Sequence, residues 1–170
     1  IPSSLDLSGA EVELSNEAGR EYLLSEVLEP FEPYYDYMII DCPPSLGLLT
    51  VNALSASDEV IIPIQAHYLA IKGLTKITEI INKIRKRINQ NLEIGGVVVT
   101  HYDKRKVLNR DGAESIVSYF ADKVFDTRIR DNIALAEAPS QGLDIFRYQP
   151  KSYGANDYMK LCREIIERGQ

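Results

Sequence analysis

Three groups of residues in this sequence carry side chains capable of chemistry. The first is Asp41, which ends the apolar run Tyr37-Met38-Ile39-Ile40 and is followed by Cys42-Pro43-Pro44-Ser45. A carboxylate at a strand end, ahead of a proline-stiffened turn, fits the acid that holds a nucleotide's magnesium ion through water. It fits an N-cap or turn aspartate equally well, and spacing alone does not separate the two. The second group is His67 and His101, each just after an apolar run. Imidazole suits acid–base or metal work, yet neither histidine has further ligands at metal-binding spacing, so a structural or surface position is expected for both. The third is Cys42 and Cys162, far apart and outside any CxxC pattern, which excludes a zinc ribbon and gives no disulfide framework. Cys42 has no adjacent base and reads as a small buried side chain.

The elements that must position these residues follow from periodicity, with apolar β-type runs alternating with helical patterns. Residues 18–29 read as a helix, capped by Ser15-Asn16-Glu17 and closed by Pro30 and Pro33. Residues 37–41 read as a short strand whose entry is packed by Tyr34, Tyr35 and Tyr37. A helix over 46–56 leads to a strand over 59–64, whose continuous β-branched run suits burial on both faces, with Pro63 marking the strand's end or an edge. Residues 68–89 form a long helix with Leu74, Ile77, Ile80, Ile81, Ile84 and Ile88 on one face and Lys83, Arg85, Lys86 and Arg87 opposite. Then come a strand over 94–100, a helix over 113–121, a strand over 124–129, a helix over 132–138 and a last helix over 153–168. That last helix has Tyr158, Leu161, Ile165 and Ile166 on its apolar face and mixed charges elsewhere, which suits docking on the sheet better than lying on a membrane.

This order implies a doubly wound α/β fold, a mainly parallel sheet with helices on both faces. The expected organisation is one incomplete domain over 1–170, with a linker and helix over 1–34 and the α/β core over 35–170. In such sheets ligands bind beyond the carboxyl ends of the strands, which directs attention to Asp41, Gln65, Thr100 and Arg130.

Composition narrows the classes further. With 170 residues, 45% hydrophobic and 26% charged, the chain can bury one substantial core. Its 19 Lys and Arg against 25 Asp and Glu give a net charge of -6, so contact with nucleic acid requires a local basic patch. There is no long uninterrupted apolar run, and Ile1-Pro2-Ser3-Ser4 lacks the basic and apolar regions of a secretory signal. The expectation is a reduced, cytoplasmic setting without a membrane span. The start without methionine reads as a fragment or a trimmed product.

The stretch Tyr35-Asp36-Tyr37-Met38-Ile39-Ile40-Asp41-Cys42-Pro43-Pro44-Ser45-Leu46-Gly47-Leu48-Leu49-Thr50 resembles the second nucleotide motif of the ParA/Soj partition ATPases. Further blocks follow in that family's order: Asn52-Ala53-Leu54, Val60 to Gln65, Gly96 to Asp103, Leu135 to Ser140, and Gly154 to Tyr158. Upstream, Leu7 to Glu11 and Gly19-Arg20-Glu21 match the family's linker. The resemblance implies that Asp41 supports magnesium and the attacking water, and that Pro43, Pro44 and Gly47 belong to a switch sensing the γ-phosphate. It places Thr100, Tyr102, Asp103, Arg130 and Asp131 near the adenine. The family's glycine-rich loop ending in Gly-Lys-Thr-Thr cradles the phosphates, but none of the ten glycines here precedes a lysine. That loop is expected before Ile1, so these residues alone should neither hold ATP and magnesium nor hydrolyse ATP.

The resemblance further implies an ATP-bound homodimer that coats DNA non-specifically, associates with the nucleoid and meets a ParB-type partner. Its DNA contacts are arginines and lysines on phosphates. Arg105 matches a family arginine in that role, with Lys104, Arg128, Arg130 and Arg147 as further candidates. Two departures stand out: a second family arginine falls on Ala134, and the family's Ile-Pro-Arg-Asn reads Ile129-Arg130-Asp131-Asn132. The alternatives are a MinD-like ATPase at the membrane, for which the expected basic amphipathic C-terminus is missing from this sequence, and a non-catalytic α/β module that lacks the phosphate loop altogether.

Overall fold

The computed structural model describes residues 7–42, 47–66 and 68–169. They gather into two compact units, Ile1–Val60 with Thr78–Glu93, and Ile61–Ile77 with Ile94–Gln170.

In the first unit, α1 (Leu7–Glu13) runs into a 3-10 turn at Leu14–Asn16, followed by α2 (Leu23–Leu28), a 3-10 segment at Glu29–Tyr34 and α3 (Leu48–Ser55). The helix expected from residue 18 begins only at Leu23, because Gly19 sits in the left-handed region at φ 72° and interrupts any earlier turn. Its end falls where the prolines require, with Pro30 entering the 3-10 segment. Two asparagines hold the unit together. The buried Asn52 accepts the Leu24 N–H at 3.0 Å and donates to the carbonyls of Arg20 at 2.7 Å and Leu48 at 3.1 Å. Asn89 donates to the carbonyls of Leu54, Ser55 and Ser57 at 3.0, 3.2 and 2.7 Å, satisfying acceptors that the end of α3 leaves open.

The strand expected over 37–41 does not form. Residues 35–42 lie outside any helix or strand, Ile39 is 95% exposed, and Tyr34, Tyr35, Tyr37, Met38 and Cys42 are exposed as well. The tyrosines therefore do not pack an entry, and Cys42 is not a buried side chain. An extended segment becomes a strand only when a neighbour pairs with its N–H and C=O groups, and no described segment pairs with this one.

Next in the chain are β1 (Glu59–Gln65), α4 (Tyr68–Arg87) and β2 (Glu93–Thr100), with the two strands adjacent in a parallel sheet. In the first unit, Ile81 and Ile84 of α4 are buried while Lys83, Arg85, Lys86 and Arg87 are exposed, as the periodicity requires. β1 alternates instead of being buried on both faces: Ile62 and Ile64 are inside, Ile61 and Pro63 outside. Among the described residues β1 has one strand neighbour, β2, and Pro63 lies near its carboxyl end with its side chain outward.

The second unit continues with α5 (Val107–Phe120), α6 (Ile133–Glu137), α7 (Ile145–Tyr148) and α8 (Tyr153–Arg168). The segment expected as a strand over 124–129 runs parallel beside β2 but is not a continuous strand. Val97 and Val124 form a parallel bridge, and the Phe125 and Ile129 N–H groups donate to the Val97 and Val99 carbonyls at 2.9 Å each. In a regular ladder the Thr127 N–H would bond β2 between them; it donates instead to Glu164 at 3.0 Å. α5 starts well ahead of the expected 113, and α7 was not foreseen; the Asp144 side chain caps α7 by accepting the Arg147 N–H at 2.9 Å. As expected, α8 docks through Leu161, which packs with Val98, Phe125 and Ile129. A second cluster joins Ala134, Ile145 and Ala155. The whole is α/β with a parallel sheet, the class implied by the alternating pattern.

Candidate functional site

The carboxyl ends of β1, β2 and the 124–129 segment open into one cleft within the second unit. Gln65, Thr100 and Arg130, the residues that follow the three apolar runs, all line it. Chain direction explains this, because parallel segments end on the same side.

The walls are fixed from the backbone outward. Tyr102 N–H donates to the Ile129 carbonyl at 3.0 Å, and Asp131 N–H returns a bond to the Tyr102 carbonyl at 3.3 Å. The chain leaves β2 through His101, whose φ of 49° turns it sharply. His101 Nδ1 lies 3.3 Å from Asp131 Oδ1, and Lys106 Nζ lies 3.9 Å from Asp131 Oδ2. Both imidazole and carboxylate are exposed, as expected of a surface histidine. His67, Pro43 and Pro44 lie outside the described residues.

Asp103 starts the turn into α5. Its carboxylate accepts the Arg105 backbone N–H at 3.0 Å and the guanidinium at 3.0 and 2.9 Å. These Arg105 hydrogen bonds hold the carboxyl down at about 2. Behind it, the buried Asn109 accepts the Asp103 N–H at 3.0 Å and donates to the Ala66 carbonyl at 3.1 Å, tying the end of β1 to the loop after β2. Gly112, one turn further along α5, lets the helix approach Ala66 closely: an added Cβ would stand 2.8 Å from the Ala66 carbonyl oxygen.

Beside Tyr102, across a parallel bridge, Arg130 is half-exposed and paired with an acid of α8. Its backbone N–H, Nε and Nη2 donate to Asp157 at 3.1, 2.8 and 2.6 Å, and its guanidinium lies 4.2 Å from the centre of the Tyr153 ring. The Asp157 hydrogen bond holds the Arg130 guanidinium firmly protonated. Arg128 lies 4.6 Å over the Tyr102 ring, Arg147 pairs with Asp144 at 3.3 Å, and Lys104 is exposed. Ala134, which stands at a family arginine position, is buried.

The structure therefore brings Thr100, Tyr102, Asp103, Arg130 and Asp131 together. Asp41 and Gly47 lie in the other unit, where Gly47 precedes α3 and the Leu49 N–H donates to Glu11 at 3.4 Å. Asn109, Asp157 and Glu164 were missed by sequence reasoning. Asn109 and Asp157 carried a signal, each being a polar residue on the inward face of an amphipathic helix. Among the described residues no group of three or more His, Cys, Asp or Glu could hold a metal ion, and no helix is long and apolar enough to cross a membrane.

A parallel α/β unit with a polar cleft beyond its strand ends belongs to the class of open α/β sheets that receive ligands at that edge. Comparison with known proteins narrows the class. Residues 1–94 match the family model described as AAA domain. The chain is 46% identical over 168 residues to the chromosome-partitioning ATPase Soj of Treponema pallidum, covering 99% of this chain and 66% of that protein. It is also 46% identical over 169 residues to the sporulation initiation inhibitor protein Soj of Bacillus subtilis, covering 99% of this chain and 67% of that one. Among solved structures, cobyrinic acid a,c-diamide synthase from Mycobacterium smegmatis with bound ADP and magnesium superposes with a TM-score of 0.77 at 33% identity, over 94% of this chain and 58% of that one. The chain belongs to the ParA/Soj family of partition ATPases, and it spans about two thirds of the length of these curated relatives.

Proposed function

We propose that this chain is the switch-bearing and base-facing part of an ATP-dependent DNA-partition ATPase. In this reading residues 1–170 belong to one incomplete nucleotide-binding domain. The intact protein binds ATP with magnesium, closes into a homodimer, coats DNA without sequence preference on the nucleoid in the cytoplasm, and is released through a ParB-type partner. The observation that carries the reading is the meeting of two segments that the resemblance places near the adenine. Residues 96–103, which match the family, and 129–132, which depart from it, are distant in sequence, yet they lie side by side, hydrogen-bonded to each other, along one cleft.

The residues present fit a nucleoside and not a triphosphate. Thr100, Tyr102, Asn132 and Asp131 offer hydroxyl, aromatic, amide and carboxylate groups around the cleft, which suit a base and its sugar. No glycine is followed by a lysine, so the phosphate cradle of backbone amides and ammonium is not supplied by these residues. Magnesium with its triphosphate supplies charge neutralisation for phosphoryl transfer when bound. Asp41 is the acid that would hold the ion through water, and Gly47, with Pro43 and Pro44, would let the following turn respond.

DNA contact falls to Lys104, Arg105 and Arg147, which are exposed. Arg130 is a poorer candidate: its guanidinium is only 41% exposed and pairs with a buried acid, whereas that of Arg105, though also paired, is 85% exposed. The test is ATP turnover by the intact gene product and by residues 1–170 alone. The intact protein should turn over ATP and lose that activity in Asp41→Ala, and the 170-residue chain should show none. Turnover by the chain alone, insensitive to Asp41→Ala, would refute the reading.

A further inference from the structure

α8 carries two inward-leaning acids, Asp157 and Glu164, two helical turns apart and hence on one face. Both grip the backbone of the segment beside β2. Glu164 accepts the Asp126 and Thr127 N–H groups at 2.7 and 3.0 Å, and Asp157 accepts the Arg130 N–H at 3.1 Å. The helix that presents them is anchored independently: Ser152 caps its start by accepting the Ala155 N–H at 3.1 Å, and Leu161 lies in the core. A Cβ on Gly154 would stand 2.7 Å from the Leu135 side chain, so the first turn has little room to shift.

The two grips differ in what lies beyond them. Past Glu164 are Arg168 and the Phe125 ring, away from the cleft. Past Asp157 are Arg130, Asp131 and, through two backbone bonds, Tyr102, all of them cleft wall. Asp157 is only 4% exposed and receives three hydrogen bonds from one residue. A carboxylate this buried, bonded to the half-exposed guanidinium and to the backbone N–H of the same residue, holds that backbone in one place.

We propose that Asp157 is the positioning residue of the cleft. Through Arg130 it sets the 129–131 backbone, and through that the Tyr102 register. Arg130 is its tether and not a contact to nucleotide or DNA. The functional half of this inference rests on the nucleotide reading above; the positional half does not.

The experiment compares Asp157→Asn, Asp157→Ala and Arg130→Ala with Glu164→Gln, in the intact gene product. Amide hydrogen exchange should show faster exchange, by tenfold or more, confined to residues 129–131 and Tyr102 in the Asp157 variants, and confined to 126–127 in Glu164→Gln. For ATP turnover, Asp157→Ala should raise KM about tenfold with kcat within twofold, while Glu164→Gln leaves KM unchanged at a comparable loss of thermal stability. Arg130→Ala added to Asp157→Ala should change KM no further, because a tether without its anchor does nothing. Unchanged protection at 129–131, or equal loss throughout 126–131, overturns the positional claim. A KM that follows stability alike in the Asp157 and Glu164 variants, or a further rise on adding Arg130→Ala, overturns the functional one. If the wild type binds no ATP, the nucleotide reading and the functional half fall together, and the exchange pattern still decides the positional half.

Discussion

Asn109→Leu isolates the contact that joins the end of β1 to the loop after β2. Leucine keeps the branched skeleton of asparagine but is larger, so the change removes polarity and adds some overpacking, which acts in the same destabilising direction. Two backbone groups lose their partners: the Ala66 carbonyl, held at 3.1 Å, and the Asp103 N–H, held at 3.0 Å. Leaving a buried group unsatisfied costs about 1–3 kcal/mol, so the pair gives an expected loss of about 2–6 kcal/mol. Urea denaturation followed by circular dichroism reads this as a lower midpoint with an unchanged slope. Asn109→Asp adds a test of sign. A carboxylate still accepts the Asp103 N–H but offers no proton to the Ala66 carbonyl, so the native state favours the protonated acid. Its folded pKa is then raised above the unfolded one, and the variant should lie closer to wild type at about pH 5 than at about pH 8. An Asn109→Leu midpoint within about 0.5 kcal/mol of wild type, the range of neutral surface changes, would refute the reasoning.

Three further outcomes are expected. Gly112→Ala places a Cβ 2.8 Å from the Ala66 carbonyl oxygen and 2.9 Å from its carbon; the overlap is with backbone, so thermal unfolding should show a loss of about 1–3 kcal/mol. The Asp103 carboxyl is held at about 2 against an ordinary 3.8, chiefly by its hydrogen bonds from Arg105. A depressed folded pKa contributes stability above the unfolded value that is lost as pH falls through the folded one, so an acid titration of wild type should lose stability between those values and Asp103→Asn should lose this component. In the intact protein, Arg105→Ala should weaken non-specific DNA binding at every sequence and reduce the slope of log K against log salt by about 1; an unchanged slope removes Arg105 from the DNA surface.

The sequence was most legible where a segment's neighbours are also encoded in these residues. α8 was expected over 153–168 and runs from Tyr153 to Arg168. β2 starts one residue earlier than the expected 94 and keeps its end at Thr100. Both are strongly periodic or apolar and both pack against partners that are present. The 37–41 run has an equally clear β pattern and forms no strand, because a strand is a property of a pair and no described segment completes it. Periodicity reports what a segment can bury and leaves open what it is buried against. The 124–129 segment lies between these cases: β2 supplies one partner, but Glu164 draws the Thr127 amide out of the ladder. No local pattern announces a carboxylate arriving from a helix that far along the chain.

The same distinction governs the site. Gln65, Thr100 and Arg130 could be found from sequence, because chain direction alone sends the ends of parallel segments to one edge. The role of Arg130 could not, since an arginine at a strand end has the same local signature whether it meets a phosphate or a carboxylate. Asp157 decides between them, and its signal was available: an acid set among Gly154, Ala155 and Leu161 on the most buried stripe of α8 must find a cation or remain neutral. An inward-facing acid on an amphipathic helix is therefore a prompt to look for an arginine elsewhere in the chain and to withdraw that arginine from the list of ligand contacts. Applied here, that rule leaves Lys104, Arg105 and Arg147 as the exposed candidates for DNA and assigns Arg130 to the architecture of the cleft.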